Sequence, residues 1–175
     1  MKYPLSIRVL HWFMGVTMIA LIFVGAYMHD LPVDAPNKLT MYPWHKSFGI
    51  LIMLLFFVRL YIRRKSTLPA LPKGIKSWEA KLSHFIHIAL YTSMIAMPIT
   101  GYLMSSTYKY SHGIDFFGLT LPDALPKSDE LFELFHTLHD KMGVLILILV
   151  ALHIAGALKH RFLESKENDV LNRII

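Results

Sequence analysis

The sequence predicts an all-α membrane protein, an antiparallel bundle of four transmembrane helices with both termini on the cytoplasmic side. Three observations point there. The 175 residues are 54% hydrophobic and only 17% charged, against about 45–50% and about 25% in soluble domains, so an aqueous fold would have too little polar surface to cover itself. Four stretches approach the ~20 apolar residues that a helix needs to cross a bilayer. The basic residues alternate by segment, the pattern that records orientation. Four spans and their connections use the whole length, so residues 1–175 are expected to form a single domain.

The first span, about residues 9–28, is free of charge. Lys2 and Arg8 precede it as they would a signal peptide, but the run is too long for an h-region and is expected to be a true span. The second, about 45–62, is apolar from Phe48 to Val58 and closes on Arg59, Arg63, Arg64 and Lys65. The third, about 85–104, carries His87 near its start and Pro98 and Gly101 further on. A proline there frees a carbonyl and is expected to kink the helix. The fourth, about 139–158, is uncharged from Met142 to Leu158 and is interrupted by His153. Ser128 to Phe135 is amphipathic and is expected to form a surface helix leading into that span. The segment from Asp115 to Pro122 reads as ordered, and Leu68 to Pro72 as an extended inner connection.

Thirteen of the 18 basic residues lie on one side: Lys2, Arg8, Arg59, Arg63, Arg64, Lys65, Lys73, Lys76, Lys81, Lys159, Arg161, Lys166 and Arg173. By the positive-inside rule that side is cytoplasmic, which leaves outer loops at about 29–44 and 105–138. The outer side as a whole, with Lys46, Asp140 and Lys141 at the span ends, holds five lysines against eight acids, among them Asp34, so the net charge of +6 separates into +9 inside and −3 outside. The basic balance is therefore topology facing membrane lipid, with no nucleic-acid partner.

With no cysteine in the chain, disulfides, thiolate zinc sites, iron–sulfur clusters and covalently attached haem are excluded. Any metal must be held by histidine. Ionisable side chains inside a bilayer are costly and mark function, and His11, His45, His87, His139 and His153 fall within or at the ends of the spans. His139 and His153 are 14 residues apart, so they differ by only ~40° in facing and stand ~21 Å apart along one helix. One helix can thus serve two stacked sites. His45 is placed to complete the outer one, and His11 or His87 the inner one.

Glycine stands four residues after His11, His45 and His139, as Gly15, Gly49 and Gly143, and after no other histidine. Residues i and i+4 share a helix face, so each imidazole has a turn without a side chain beside it, as a flat macrocycle requires. Gly156 serves His153 in the same way at i+3. The signature favours His139 over His136, which has Asp140 at i+4 and is held in reserve. Bis-imidazole ligation of two b-type haems follows, with saturated irons suited to electron transfer. A proton relay or metal transporter would call for intramembrane carboxylates, which the spans lack; a haem-free transporter is the remote alternative.

Leu10-His11-Trp12, His45-Lys46-Ser47-Phe48-Gly49-Ile50, Val58-Arg59-Leu60, His84-Phe85-Ile86-His87, Pro98-Ile99-Thr100-Gly101-Tyr102, Phe117-Gly118-Leu119-Thr120 and Leu152-His153-Ile154-Ala155 together resemble the bacterial cytochrome b561 family over nearly the whole chain. The resemblance implies His11 with His153 for a cytoplasmic-side haem and His45 with His139 for a periplasmic-side haem. It also implies the bacterial inner membrane and electron exchange with ubiquinone. One branch is similar to a superoxide oxidase, an oxidoreductase that passes electrons from superoxide to quinone. The expected function is electron transfer between superoxide, or another periplasmic donor, and ubiquinone. The alternative is a cytochrome b anchor subunit with a redox partner protein, a dehydrogenase or hydrogenase. Arg59 and Arg8 are candidates for the haem propionates, and His160 and His87 for the inner haem or quinone. No residue is assigned a catalytic role.

Overall fold

The computed structural model describes residues 1–32 and 35–175; Asp34, counted above among the outer acids, lies outside them. Four long helices run α1 (Leu5–Asp30), α2 (Pro36–Lys65), α3 (Ser77–Thr107) and α4 (Asp129–Phe162). A small hairpin, β1 (Ile114–Phe116) and β2 (Leu119–Leu121), stands between α3 and α4. All four helices are long and apolar enough to cross a membrane. Each contains one expected span, and their large apolar side chains, such as Val16, Phe23, Phe57 and Ile148, point outward. An apolar helix whose side chains are not buried against protein finds its solvent in lipid.

The helices outrun the spans because their ends are well made. Pro36 opens α2, where a missing N–H costs nothing, and Arg63, Arg64 and Lys65 sit in its last turn against the negative end of the dipole. The connection from α1 therefore shrinks to Leu31–Ala35, not the loop of 29–44 expected from apolarity alone. Ser128 caps α4, its Oγ accepting from the Leu131 N–H at 3.2 Å. Residues 128–135 are not a separate surface helix: from Asp129 they form the first turns of a continuous α4 of 34 residues, ~51 Å long, against a hydrocarbon core of ~30 Å.

The core lies in the middle of the bundle. Ile86 and Leu90 of α3 pack on Ile146, Leu149 and Val150 of α4, while Met14, Ile52, Phe56 and Met94 join α1, α2 and α3. Neighbours in sequence pack most closely; α1 and α4 share few direct contacts. The hairpin pairs Ile114 with Leu121 and Phe116 with Leu119. Its two-residue turn, Phe117 (φ 48°) and Gly118 (φ 87°), is left-handed throughout, the form that matches strand twist. The buried Ser47 hydroxyl of α2 accepts the Phe117 N–H at 2.9 Å and holds the hairpin on the bundle.

The C-terminal segment folds back over the opposite end. The Tyr3 N–H donates to the Arg173 carbonyl and Trp12 Nε1 to the Ile174 carbonyl, each at 2.9 Å. Arg173 reaches the Ala70 carbonyl, and Arg161 pairs with the buried Asp169. This tail ties the start of α1, the α2–α3 connection and the end of α4 together.

Candidate functional site

Two imidazole pairs stand at opposite ends of the apolar core. The rings of His45 and His139 have centroids 6.2 Å apart with planes at 71°. Those of His11 and His153 are 6.0 Å apart at 69°. An imidazole nitrogen lies ~2.0 Å from a bound first-row metal and about 1.1 Å from its own ring centre, so two imidazoles on opposite sides of one ion place their centroids about 6.2 Å apart. Both pairs are close to that spacing. His87 is also beside His153, but its centroid is only 5.2 Å away and the residue is exposed. His136 is turned from His45 altogether; it stacks on Phe132 and faces His29 and Asp140.

The surroundings of each pair can be tested for a large flat ligand. A Cβ added at Gly15, Gly49 or Gly156 would meet no protein atom within 4 Å, and one at Gly143 only Met97, at 3.7 Å. The glycines next to the histidines thus border open space, as a flat ligand lying against those helices would need. Among the described residues, the buried side-chain nitrogens without a hydrogen-bond partner are Arg8 Nε, Arg59 Nε and His45 Nδ1. Two of the three are guanidinium donors at the His11–His153 level, where anionic propionates would satisfy them. The residues present therefore fit haem b.

Other side chains orient the imidazoles. Thr100 of α3 donates its hydroxyl proton to the Met97 carbonyl at 2.9 Å, and its Oγ1 is 3.2 Å from His139 Nδ1. A carbonyl can only accept, so both contacts are satisfied when Nδ1–H of His139 donates to Thr100 and Nε2 is free to bind a metal. Gly101 gives that ring its room: a Cβ there would lie 2.9 Å from His139 Cε1. Gly25 of α1 does the same for His45, at 3.3 Å. At the other end, Arg59 Nη2 lies 3.2 Å from His11 Nδ1. Guanidinium only donates, so this contact places the His11 proton on Nε2. Metal binding through Nε2 would require Arg59 to release Nδ1.

His160 is buried and belongs to a charged cluster. Its Nδ1 is 2.9 Å from Glu164 Oε2, and Lys159 Nζ bonds both Glu164, at 2.6 Å, and the buried Glu79 of α3. Hydrogen bonds from Lys159 and His160 lower the Glu164 carboxyl to about 2. Sequence reading passed over Glu79 because it precedes the apolar run; its position three residues after Lys76, whose N–H it accepts at 3.2 Å, is a helix-start signal that could have found it. An apolar groove of about 410 Å³ lined by Phe56, Tyr91, Ile95 and Thr100 opens between α2 and α3, and the Arg59 guanidinium lies 5.9 Å over the Tyr91 ring.

Four membrane-crossing helices with imidazoles paired at two levels define a membrane cytochrome of the b type, a protein of electron transport. The model of the prokaryotic cytochrome b561 family matches residues 2–175, and the chain belongs to that family. It is similar to cytochrome b561 homolog 1 of Escherichia coli (strain K12), 26% identical over 93% of this chain and 90% of the relative. Homolog 2 of the same organism is 25% identical over 99% and 91%. A protein of Yersinia pestis named probable superoxide oxidase CybB is 28% identical over 93% and 89%. The family binds haem b, resides in the inner membrane and acts with quinone and electron donors.

Proposed function

We propose that this chain carries electrons across the inner membrane between two haems b, from superoxide at the periplasmic face to ubiquinone near the cytoplasmic face. The carrying observation is the pair of imidazole pairs, His45 with His139 and His11 with His153, at metal-ligand spacing on either side of one apolar core. His139 and His153 ride on a single rigid helix, which fixes the distance between the two levels. His45, His139, His11 and His153 would hold haem b there, and the haem would supply one-electron chemistry.

The chain's own residues do the rest. Thr100 and Gly101 hold the His139 ring, while Gly25 leaves the place of His45. Arg8 and Arg59 supply unpaired cationic donors at the inner level. Lys46 follows His45 and Lys141 lies two residues after His139, so positive charge adjoins the outer pair despite the net acidity of that face, where a small anion would arrive. Two superoxide anions, each losing one electron to become dioxygen, would supply the two electrons that with two protons convert one quinone to quinol. The groove at Tyr91 and Arg59 offers an apolar channel from the lipid for the quinone tail, and His160 with Glu79 and Glu164 lies at the end where protons enter. The excess of basic residues at that end supports both termini being cytoplasmic.

The resemblance to the protein named probable superoxide oxidase favours this reading over an anchor subunit. The test uses the purified protein. The expected result is two haems per chain, rapid haem reduction when superoxide is generated, and reoxidation by ubiquinone. A colourless protein would overturn the haem assignment; haem that superoxide does not reduce would overturn the donor and favour a protein partner.

A further inference from the structure

Beside the outer imidazole pair, a second group of potential ligands converges. His136 and Asp140 stand one turn apart on α4, and His29, in the last turn of α1, faces them across the bundle. Asp140 Oδ2 lies 3.5 Å from His136 Nε2 and 3.8 Å from His29 Nδ1. One ligand atom from each residue lies within 4.8 Å of the others. Two donors each ~2.0–2.1 Å from a tetrahedral ion are about 3.3 Å apart, so small rotations of these half-exposed side chains would close the set. Phe132 stacks on the His136 ring with planes 5° apart, which fixes its orientation.

A comparison within the molecule sharpens the point. Glu79, His160 and Glu164 also converge at the inner end, but there Lys159 Nζ already sits between the two carboxylates. That group is a satisfied salt-bridge cluster. At the outer end, among the described residues, no lysine or arginine pairs with Asp140, and its ionic partners are the two histidines alone. Two imidazoles and one carboxylate are a donor set for borderline divalent transition ions, neither thiolate-soft nor the all-oxygen set of magnesium or calcium.

We infer that His29, His136 and Asp140 form a surface site for a divalent transition ion, Zn2+ or Cu2+, distinct from the haem pairs, which clamps α1 to α4 at the outer end. Those two helices share few direct contacts, so the ion would join the loosest seam of the bundle. Solvent-exposed side chains give it a path from the periplasmic solution, and a solvent molecule would complete four-coordination. The inference stands whether or not superoxide is the electron donor.

The test uses tag-free holoprotein in detergent, stripped with chelator and titrated with Zn2+ against a competing chromophoric chelator. The expected result is one saturable ion per chain, with a rise in thermal midpoint as native-state binding requires. His29→Ala, His136→Ala and Asp140→Asn are each expected to weaken binding by at least about tenfold while haem content and visible spectrum stay unchanged. With Cu2+ in place of Zn2+, the paramagnetic resonance spectrum should show two nitrogen couplings, falling to one in either histidine variant. Should an alanine variant unfold, His29→Gln and His136→Gln repeat the measurement at nearly constant volume. Zinc binding that is equal in wild type and the double histidine variant would overturn the site, as would binding abolished by replacing the exposed His84 or His112 instead.

Discussion

The hydroxyl oxygen of Thr100 on α3 accepts a hydrogen bond from Nδ1–H of His139 on α4, at 3.2 Å, while its own O–H donates to the Met97 carbonyl. Those two bonds fix the imidazole tautomer and leave Nε2 free to bind a metal. Second-layer contacts of this kind raise ligand basicity. In the isosteric variant Thr100→Val the imidazole donates less electron density, so the oxidised iron is less favoured and the outer haem's midpoint potential should rise by tens of mV, ~59 mV for each tenfold in equilibrium constant. The inner haem serves as internal control. Redox titration by visible spectroscopy measures both; an unmoved outer potential would remove Thr100 from the site.

Alanine at the glycines distinguishes a face that borders haem from a face that borders lipid. In Gly15→Ala, Gly49→Ala and Gly156→Ala the added methyl meets no protein atom within 4 Å. If those faces pointed to lipid, alanine would be neutral or slightly stabilising through its better helix propensity. Bordering a macrocycle, each should instead lower haem content, Gly49→Ala at the outer level and Gly15→Ala and Gly156→Ala at the inner. Gly101→Ala acts by another route, pushing on His139 from 2.9 Å, and should cost more outer haem than Gly25→Ala, whose methyl stands 3.3 Å from His45. Haem-to-protein ratios decide it; full occupancy in all three of the first group would refute the cradle.

The four helices and the histidine levels were legible because apolar runs and i, i+4 spacing are local properties of a chain. Pro98-Ile99-Thr100-Gly101-Tyr102 stood out as a motif, but only packing shows what its members do: Thr100 and Gly101 meet His139, and the Tyr102 hydroxyl donates to the Pro122 carbonyl at 2.6 Å. Helix ends were misplaced because apolarity locates the bilayer, whereas Pro36, Ser128 and the basic last turn of α2 decide where the helix stops. The docking of the tail at residues 163–175 rests on Ala70, Tyr3 and Trp12, more than a hundred residues away in sequence, which no local pattern encodes.

Arg59 offers a charge test of the inner level. Its Nε is buried without a partner, and its Nη2 touches His11. A cation beside the iron opposes oxidation, so Arg59→Gln should lower the inner midpoint potential by tens of mV, again ~59 mV per tenfold, and leave the outer one in place. Potentiometric titration of the two components gives the answer. A shift confined to the outer component would reverse the assignment of levels.

Glu164 governs how the tail responds to acid. Hydrogen bonds from Lys159 and then His160 hold its carboxyl at about 2, below an ordinary value of 4.5, and Asn168 Nδ2 also donates to it at 3.2 Å. Because the folded value is the lower one, the stabilisation is fully present above pH 4.5 and is lost as pH falls from there toward about 2. Hydrogen exchange of the amides in residues 166–175, corrected for intrinsic rates, should therefore show protection at neutral pH that declines across that window. Glu164→Gln removes the charge that Lys159 and His160 hold, so its tail should exchange faster already at neutral pH and respond less to acid. A variant tail as protected as wild type would mean that the Arg161–Asp169 pair and the bonds of Arg173 and Ile174 hold the segment by themselves.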